Sequence, residues 1–554
     1  MRKTLLISCL LIAATTQAQL LYVNNADGTF QAIDTKKSEG VTFDAEQRLV
    51  RFFMEDGITS QFATDKVNNI AAASNNGTEL TYNLNPTVAF DTDDAVGFHE
   101  EIEKIITDEL IDESGDFVEN YTPERTITIT FSATGVKTSS LPSDITATID
   151  GGHIVINSAR SKTAYRVTGT CADGSLKIYS TKKFQIMLQN LNLTNPTGPA
   201  INIQSGKTVY MTLLNGTNNT LCDGATYSAP IIGSNGEEED QKGTLFSEGQ
   251  LIFNGEGTLN VTSLGGHGIC SDDYIRIRCG NINIVNAAKD GFRTKEKFIV
   301  GRTKAASPTI KINATNNGID CSEGTLTIEA GKLDITSGGE AIKVEYEEAT
   351  PDPTVIPDAY IKGGYIKIVT TDEKSSAIKT TRNYTQTNGV INATVNGNGS
   401  KIVNCDGAVL FEGGKLVGFA NGTITADETS AGGIKSEGRV DIKGGTIAIG
   451  CTGRGSKGIN CNNDINMTGG NITLLAEAEN NTDMADDKKS RAITAENVTI
   501  NGSTVVVSAY DNAVNATGDI VINGGIINAY SVTSTALSHE ATQTGGWLLT
   551  KDAE

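Results

Sequence analysis

The chain has 554 residues, with 66 acidic against 45 basic side chains, a formal charge of −21 and a pI near 4.7. Such a surface repels phosphate backbones, which argues against nucleic acid as a partner and suits a protein that holds divalent cations. Fifty-nine glycines alongside only 6% aromatics point to many short strands joined by tight turns.

In chain order, Met1-Arg2-Lys3, an apolar run from Thr4 to Ala14 and a small residue at Ala18 read as a secretory signal peptide over 1–18, cut after Ala18. The expected product is exported: periplasmic, cell-surface or extracellular. The run is shorter than the ~20 residues a membrane-spanning helix needs, and no later segment is long and apolar enough to cross. Residues 19–72 read as a small β-rich unit, with Leu20–Val23, Val41–Phe43 and Leu49–Phe53 as short antiparallel strands. Residues 73–120 read as an acidic linker, in which Phe98–Leu110 has the apolar spacing of one short helix.

From residue 121 to 554 the chain repeats every 21 to 27 residues or so. A small residue and an apolar one recur as Gly268-Ile269, Gly291-Phe292, Gly318-Ile319, Ala341-Ile342, Ala377-Ile378, Lys401-Ile402, Gly433-Ile434 and Gly458-Ile459. Corners recur as Gly363-Gly364, Gly413-Gly414, Gly444-Gly445, Gly469-Gly470 and Gly524-Gly525, where glycine supplies positive φ. A coil of three short strands uses about 22 residues, and successive coils stack ~4.8 Å apart, so equivalent residues form columns. The expected fold is all-β: a single-stranded parallel β-helix preceded by the small β-rich unit. Ile269, Phe292, Ile319, Ile342 and Ile378 form its inward column, and Ser271, Thr294, Cys321 and Val344 a column of small groups. The eight cysteines beyond the signal are scattered, and read better as small buried groups than as a set of four bridges.

From about Arg125 onward the motifs resemble the bacterial carbohydrate-binding domain-containing proteins. The residues that carry this are Gly174–Phe184, Gly198–Gly206, Gln241–Gln250, His267–Arg276, Lys289–Phe292 and Asn317–Asp320. The resemblance implies right-handed coiling, secretion, a structural kinship with pectate lyases, and binding of cellulose or acidic sugars. The first unit is similar to a small β domain that precedes other modules in secreted proteins of gut-type bacteria.

Two constellations stand out. Asp272, Asp273, Asp290 and Asp320 fall at turns of successive coils and are the candidate calcium ligands, with Glu323 and Glu340 as additions. The outward position after each inward residue holds Arg293, Lys343, Lys379 and Lys435, with Lys289 and Lys295 nearby; Lys289, Arg293, Lys295, Lys343 and Lys379 are the candidate polysaccharide contacts. The same row also fits charge alternation that merely neutralises neighbouring acids. Only one tryptophan, Trp547, is present, so sugar stacking on tryptophan rows is not the expected mode. The expected function is calcium-assisted, non-catalytic binding of a cellulose- or uronate-type polysaccharide. The alternatives are a calcium-dependent pectate-type lyase using Lys289, Arg293 or Lys295 as base, and a surface adhesin or rigid rod.

Overall fold

The computed structural model describes residues 20–25, 30–34, 38–44, 49–54, 58–64, 66–71 and 114–553, apart from 234–235, 302–306, 347–349, 351 and 481–483. The expected signal peptide and the helix over 98–110 lie outside these residues, as do Asp27-Gly28 and Asp56-Gly57, which the sequence marks as turns between the first short strands. Two compact units are present, one spanning 91–418 and the other 1–90 with 419–554. No described helix is long and apolar enough to cross a membrane.

In the 91–418 unit the fold is a parallel β-helix, three strands to a coil. One coil runs through strands His267–Ser271, Tyr274–Ile277 and Asn281–Ala287, and the next through Phe292–Thr294, Lys297–Val300 and Thr309–Ala314. Each strand pairs in parallel with its counterpart one coil on. Ile269, Phe292, Ile319, Ile342 and Ile378 are in register and fully buried, as the repeat predicts. Burying each of these side chains stabilises by roughly 1.5–3 kcal/mol. The column then slips by one residue. Val403, not Ile402, pairs with Ile378; both are apolar and both are buried, so the repeat alone does not fix the frame there.

The residue before each inward position is small for a steric reason: a Cβ on Gly291 would lie 2.7 Å from the carbonyl oxygen of Gly318. At the paired-glycine corners the second glycine takes the positive φ, 81° at Gly364 and 77° at Gly414 in this unit. The first coil edge is covered by Ile145–Asp150, which pairs antiparallel with Gly152–Ser158.

In the other unit the coils continue the same pattern, with Ile434, Ile459 and Ile493 in register. Strands Ser38–Asp44, Leu49–Met54 and Ile58–Ala63 pair antiparallel, and Ile58–Ala63 pairs antiparallel with the final strand, Trp547–Lys551. An exposed last strand would offer unpaired backbone groups to other chains, and this pairing covers them. Trp547 is buried there against Phe62, ring centroids 6.3 Å apart, with Val50 and Phe52 in the same cluster. The lone tryptophan is thus a core residue. All eight described cysteines are free, seven of them buried.

Candidate functional site

The outward positions of the first strand in each coil form one continuous column in the 91–418 unit. Register places Phe246, Cys270, Arg293, Asp320, Lys343 and Lys379 one above another. A strand's side chains alternate between faces, so fixing the isoleucines inward fixes these outward. Against this column lies an open cleft of about 620 Å³, whose walls include Lys242, Glu248, His267, Asp272, Arg293 and Lys295.

One wall comes from a loop. Residues 223–233 and 236–242 fold back over earlier coils, where Glu239 accepts from Lys177 Nζ at 2.9 Å and from Tyr179 Oη at 2.7 Å. Gln204 Nε2 donates to the Asp240 carbonyl at 3.0 Å. The loop thereby delivers Asp240 and Lys242 beside Asp272. Lys242 Nζ lies 2.7 Å from Asp240 Oδ2 and 2.5 Å from Asp272 Oδ2. Asp240, Glu248 and Asp272 each offer a carboxylate oxygen within 4.8 Å of the others. Burial, then the charges of Asp272 and Asp240, push the Glu248 carboxyl up to about 7.

The four predicted metal ligands do not converge. Asp272 joins the trio with Asp240 and Glu248. Asp273 accepts from Gln250, and burial followed by the Glu296 charge raises it to about 6. Asp290 is 1% exposed and fully engaged: His267 Nδ1 lies 3.0 Å from its Oδ2, while Asn316 Nδ2 and the Asn317 amide donate to Oδ1 at 2.7 and 3.0 Å. Burial disfavours its charge, yet these donors hold its pKa below the usual carboxylate value. Asp320 is buried beside Arg293, 3.3 Å away, and burial followed by the Asp290 charge raises its pKa. Its Oδ1 meets no donor among the described residues. The repeat brings these acids to successive coils, where Asp290 and Asp320 share Arg293, 3.9 and 3.3 Å away, while Asp272 and Asp273 find separate partners in Lys242 and Gln250.

The predicted cationic contacts also divide. Arg293 and Lys295 line the cleft, Lys295 sharing charge with Glu323 at 3.4 Å. Lys343 and Lys379 both pair with Glu345, at 3.1 and 2.9 Å, the neutralising arrangement weighed as the alternative. Lys289 is exposed and is not among the cleft residues. Asp240, Lys242 and Glu248 were missed. Lys242 and Glu248 sit inside the Gln241–Gln250 motif, which was the available signal, but Glu237–Asp240 reads from sequence as a plain exposed loop. His267, which the sequence marks only as the start of the His267–Arg276 motif, is the partner of Asp290.

Comparison with known proteins supplies an independent line. A family model described as carbohydrate-binding domain-containing protein matches residues 150–432, 302–477 and 411–534, which together run from 150 to 534 and cover more than half of the chain. A protein of the same description from Acetivibrio thermocellus is 26% identical over 206 residues, 33% of this chain and 70% of the relative. A solved structure, described as the polysaccharide lyase-like protein from C. thermocellum in a gadolinium derivative, aligns with a TM-score of 0.37 and 22% identity over 52% of this chain and 97% of that one.

Proposed function

Since the chain belongs to the carbohydrate-binding domain-containing protein family, we propose that it is an exported protein that binds an acidic polysaccharide along the 242–295 cleft, assisted by calcium and without catalysis. The observation that carries this reading is the cleft itself, an open trough that sets Lys242, Arg293 and Lys295 beside a group of carboxylates. Guanidinium and ammonium groups recognise a uronate carboxylate through charge-assisted hydrogen bonds, which are stronger than neutral ones. The scarcity of exposed tryptophan favours hydrogen-bonded over stacked recognition.

Calcium takes hard oxygen donors in flexible geometry. Asp240, Glu248 and Asp272 supply such donors at fitting separations, and they, rather than Asp273, Asp290 or Asp320, are the residues proposed to hold the ion. Bound there, calcium would add positive charge for a glycan carboxylate. Lys242 already neutralises Asp240 and Asp272, so the ion would share or displace that ammonium. Retention on immobilised polygalacturonate and on cellulose, with calcium and with chelator, tests the reading. Retention on pectate that weakens on chelation is expected; no retention on either polymer overturns it.

A second reading, uronate β-elimination, draws on one observation. Buried Asp290 holds His267 through Nδ1, and His267 lines the cleft. A carboxylate-oriented imidazole is a competent proton acceptor. It predicts rising absorbance of unsaturated uronate on incubation with pectate, and a flat trace removes it.

A further inference from the structure

A different face of the same unit carries a set of groups that the cleft does not use. Strands Val209–Leu213, Leu251–Asn254 and Tyr274–Ile277 place Tyr210, Ile252 and Arg276 in one outward column. Thr212 and Asn254 form the next column, with Arg278 just beyond the strand end. Gln185 Nε2 donates to Thr212 Oγ1 at 2.8 Å, and Thr212 Oγ1 to Asn254 Oδ1 at 2.9 Å. Two tyrosines (Tyr210 and Tyr274), two arginines, two amides and a hydroxyl on a parallel sheet have the composition of a glycan-reading surface.

This surface is covered by residues 114–121, a strap of two short 3-10 turns. Arg276 and Arg278 are 1% and 2% exposed beneath it. Asp116 Oδ2 accepts from Arg276 Nη1 at 2.6 Å, and its Oδ1 accepts from Tyr274 Oη. Glu119 Oε2 accepts from Arg278 Nη1 at 2.7 Å, and the Phe117 ring lies 4.3 Å from that guanidinium. The strap backbone takes part as well, since Tyr210 Oη donates to the Gly115 carbonyl at 2.7 Å. Tyr121 packs on Tyr210 with centroids 5.1 Å apart.

The strap therefore presents two carboxylates, three residues apart, to two arginines. The match is incomplete. Among the described residues, Asn254, 5% exposed, has no acceptor for its Nδ2, and Arg278 Nε also lacks one. A buried donor left unpaired is destabilising, so a covering segment with no other role is expected to satisfy it. A chain bearing both carboxylates and many hydroxyl acceptors could satisfy the arginines as the strap does, and the two idle donors besides.

We propose that the face under residues 114–121 is a second binding surface for a carboxylate-bearing glycan, masked by the strap, whose Asp116 and Glu119 occupy the positions of the glycan's own carboxylates. The ligand class rests on the glycan-binding reading above; the masking does not. Acidic glycan and strap compete for Arg276 and Arg278, so weakening the strap's charges unmasks the surface.

Calorimetric titration of the full chain with a galacturonate oligomer provides the test, using the native protein, Asp116→Asn/Glu119→Gln, and that double variant with Arg278→Ala added. The double variant is expected to gain a second site or about tenfold in affinity, the worth of one charge-assisted hydrogen bond, and the added Arg278→Ala to remove the gain. A folded double variant with native stoichiometry and affinity overturns the proposal. Should that variant fail to fold, hydrogen exchange on the native chain decides. Saturating acidic oligomer is expected to speed exchange over 114–121, whereas a neutral cello-oligomer leaves it unchanged. No change with the acidic oligomer overturns the masking. Arg293→Ala/Lys295→Ala separates the two sites: if it leaves native binding intact, the cleft reading fails while the gain on unmasking still stands or falls by itself.

Discussion

Two faces of one β-helical unit use the same chemistry in opposite ways. On the cleft face Arg293 is 40% exposed in its side chain and shares its charge with Asp320 on the neighbouring coil. On the strap face Arg276 is 1% exposed, and its carboxylate partner lies 160 residues away in sequence. Both arginines occupy the same kind of outward position on a strand. The difference teaches that the coil repeat sets the direction of a side chain, while its burial is decided by whatever the chain lays across it. An exposed arginine meets a polymer directly, whereas a covered one meets it only where the cover is displaced.

The sharpest break of this comparison is a matched pair of truncations. Arg276→Ala removes one partner of a buried ion pair and should cost about 3 kcal/mol in urea unfolding, while a loss below ~1 kcal/mol would mean the strap contributes little. Next in size, Arg293→Ala/Lys295→Ala should lower affinity for polygalacturonate by about 2 kcal/mol and cost roughly 1–3 kcal/mol of stability, because it leaves the buried Asp320 carboxylate without its cation. Parallel calorimetry and thermal melts check both halves of that statement.

Asp290→Asn probes the buried support of the cleft. The native carboxyl titrates below its unfolded value, so its stabilisation is present above the usual carboxylate pKa and is lost as pH falls through the folded value. The variant should be weaker by roughly 1–2 kcal/mol at neutral pH, with the gap closing in acid; urea midpoints that differ equally at neutral and acidic pH would contradict this. The smallest effect belongs to Glu248→Gln. Its carboxyl is raised to about 7, so the protonated form's advantage is complete below the unfolded value and lost as pH rises through 7. In chelator the variant should match native in acid and exceed it above pH 7 by on the order of 1 kcal/mol, after allowance for solvent screening of a half-exposed group. If calcium binds at the trio, native calcium affinity should also fall below pH 7, as the proton on Glu248 competes.

The lesson for reading such a chain comes from particular residues. The inward isoleucines and the paired-glycine corners were legible because each coil must bury one apolar group and bend at one positive φ, and both demands recur at a fixed interval. Where two apolar residues adjoin, as at Ile402 and Val403, the interval no longer decides which points inward. The outward row of Arg293, Asp320, Lys343 and Lys379 was legible by the same alternation. That Glu345 would neutralise two of the lysines was not.

By itself the sequence determined the strand repeat, the core columns and the face on which the charges stand, because these follow from local periodicity. Only the tertiary structure decided which charges meet. Asp240 reaches Asp272 because residues 236–242 double back over the coils, and Asp116 reaches Arg276 because a distant segment crosses the sheet. Pairings of that kind are set by loop closure across many residues, which leaves no period in the sequence to read.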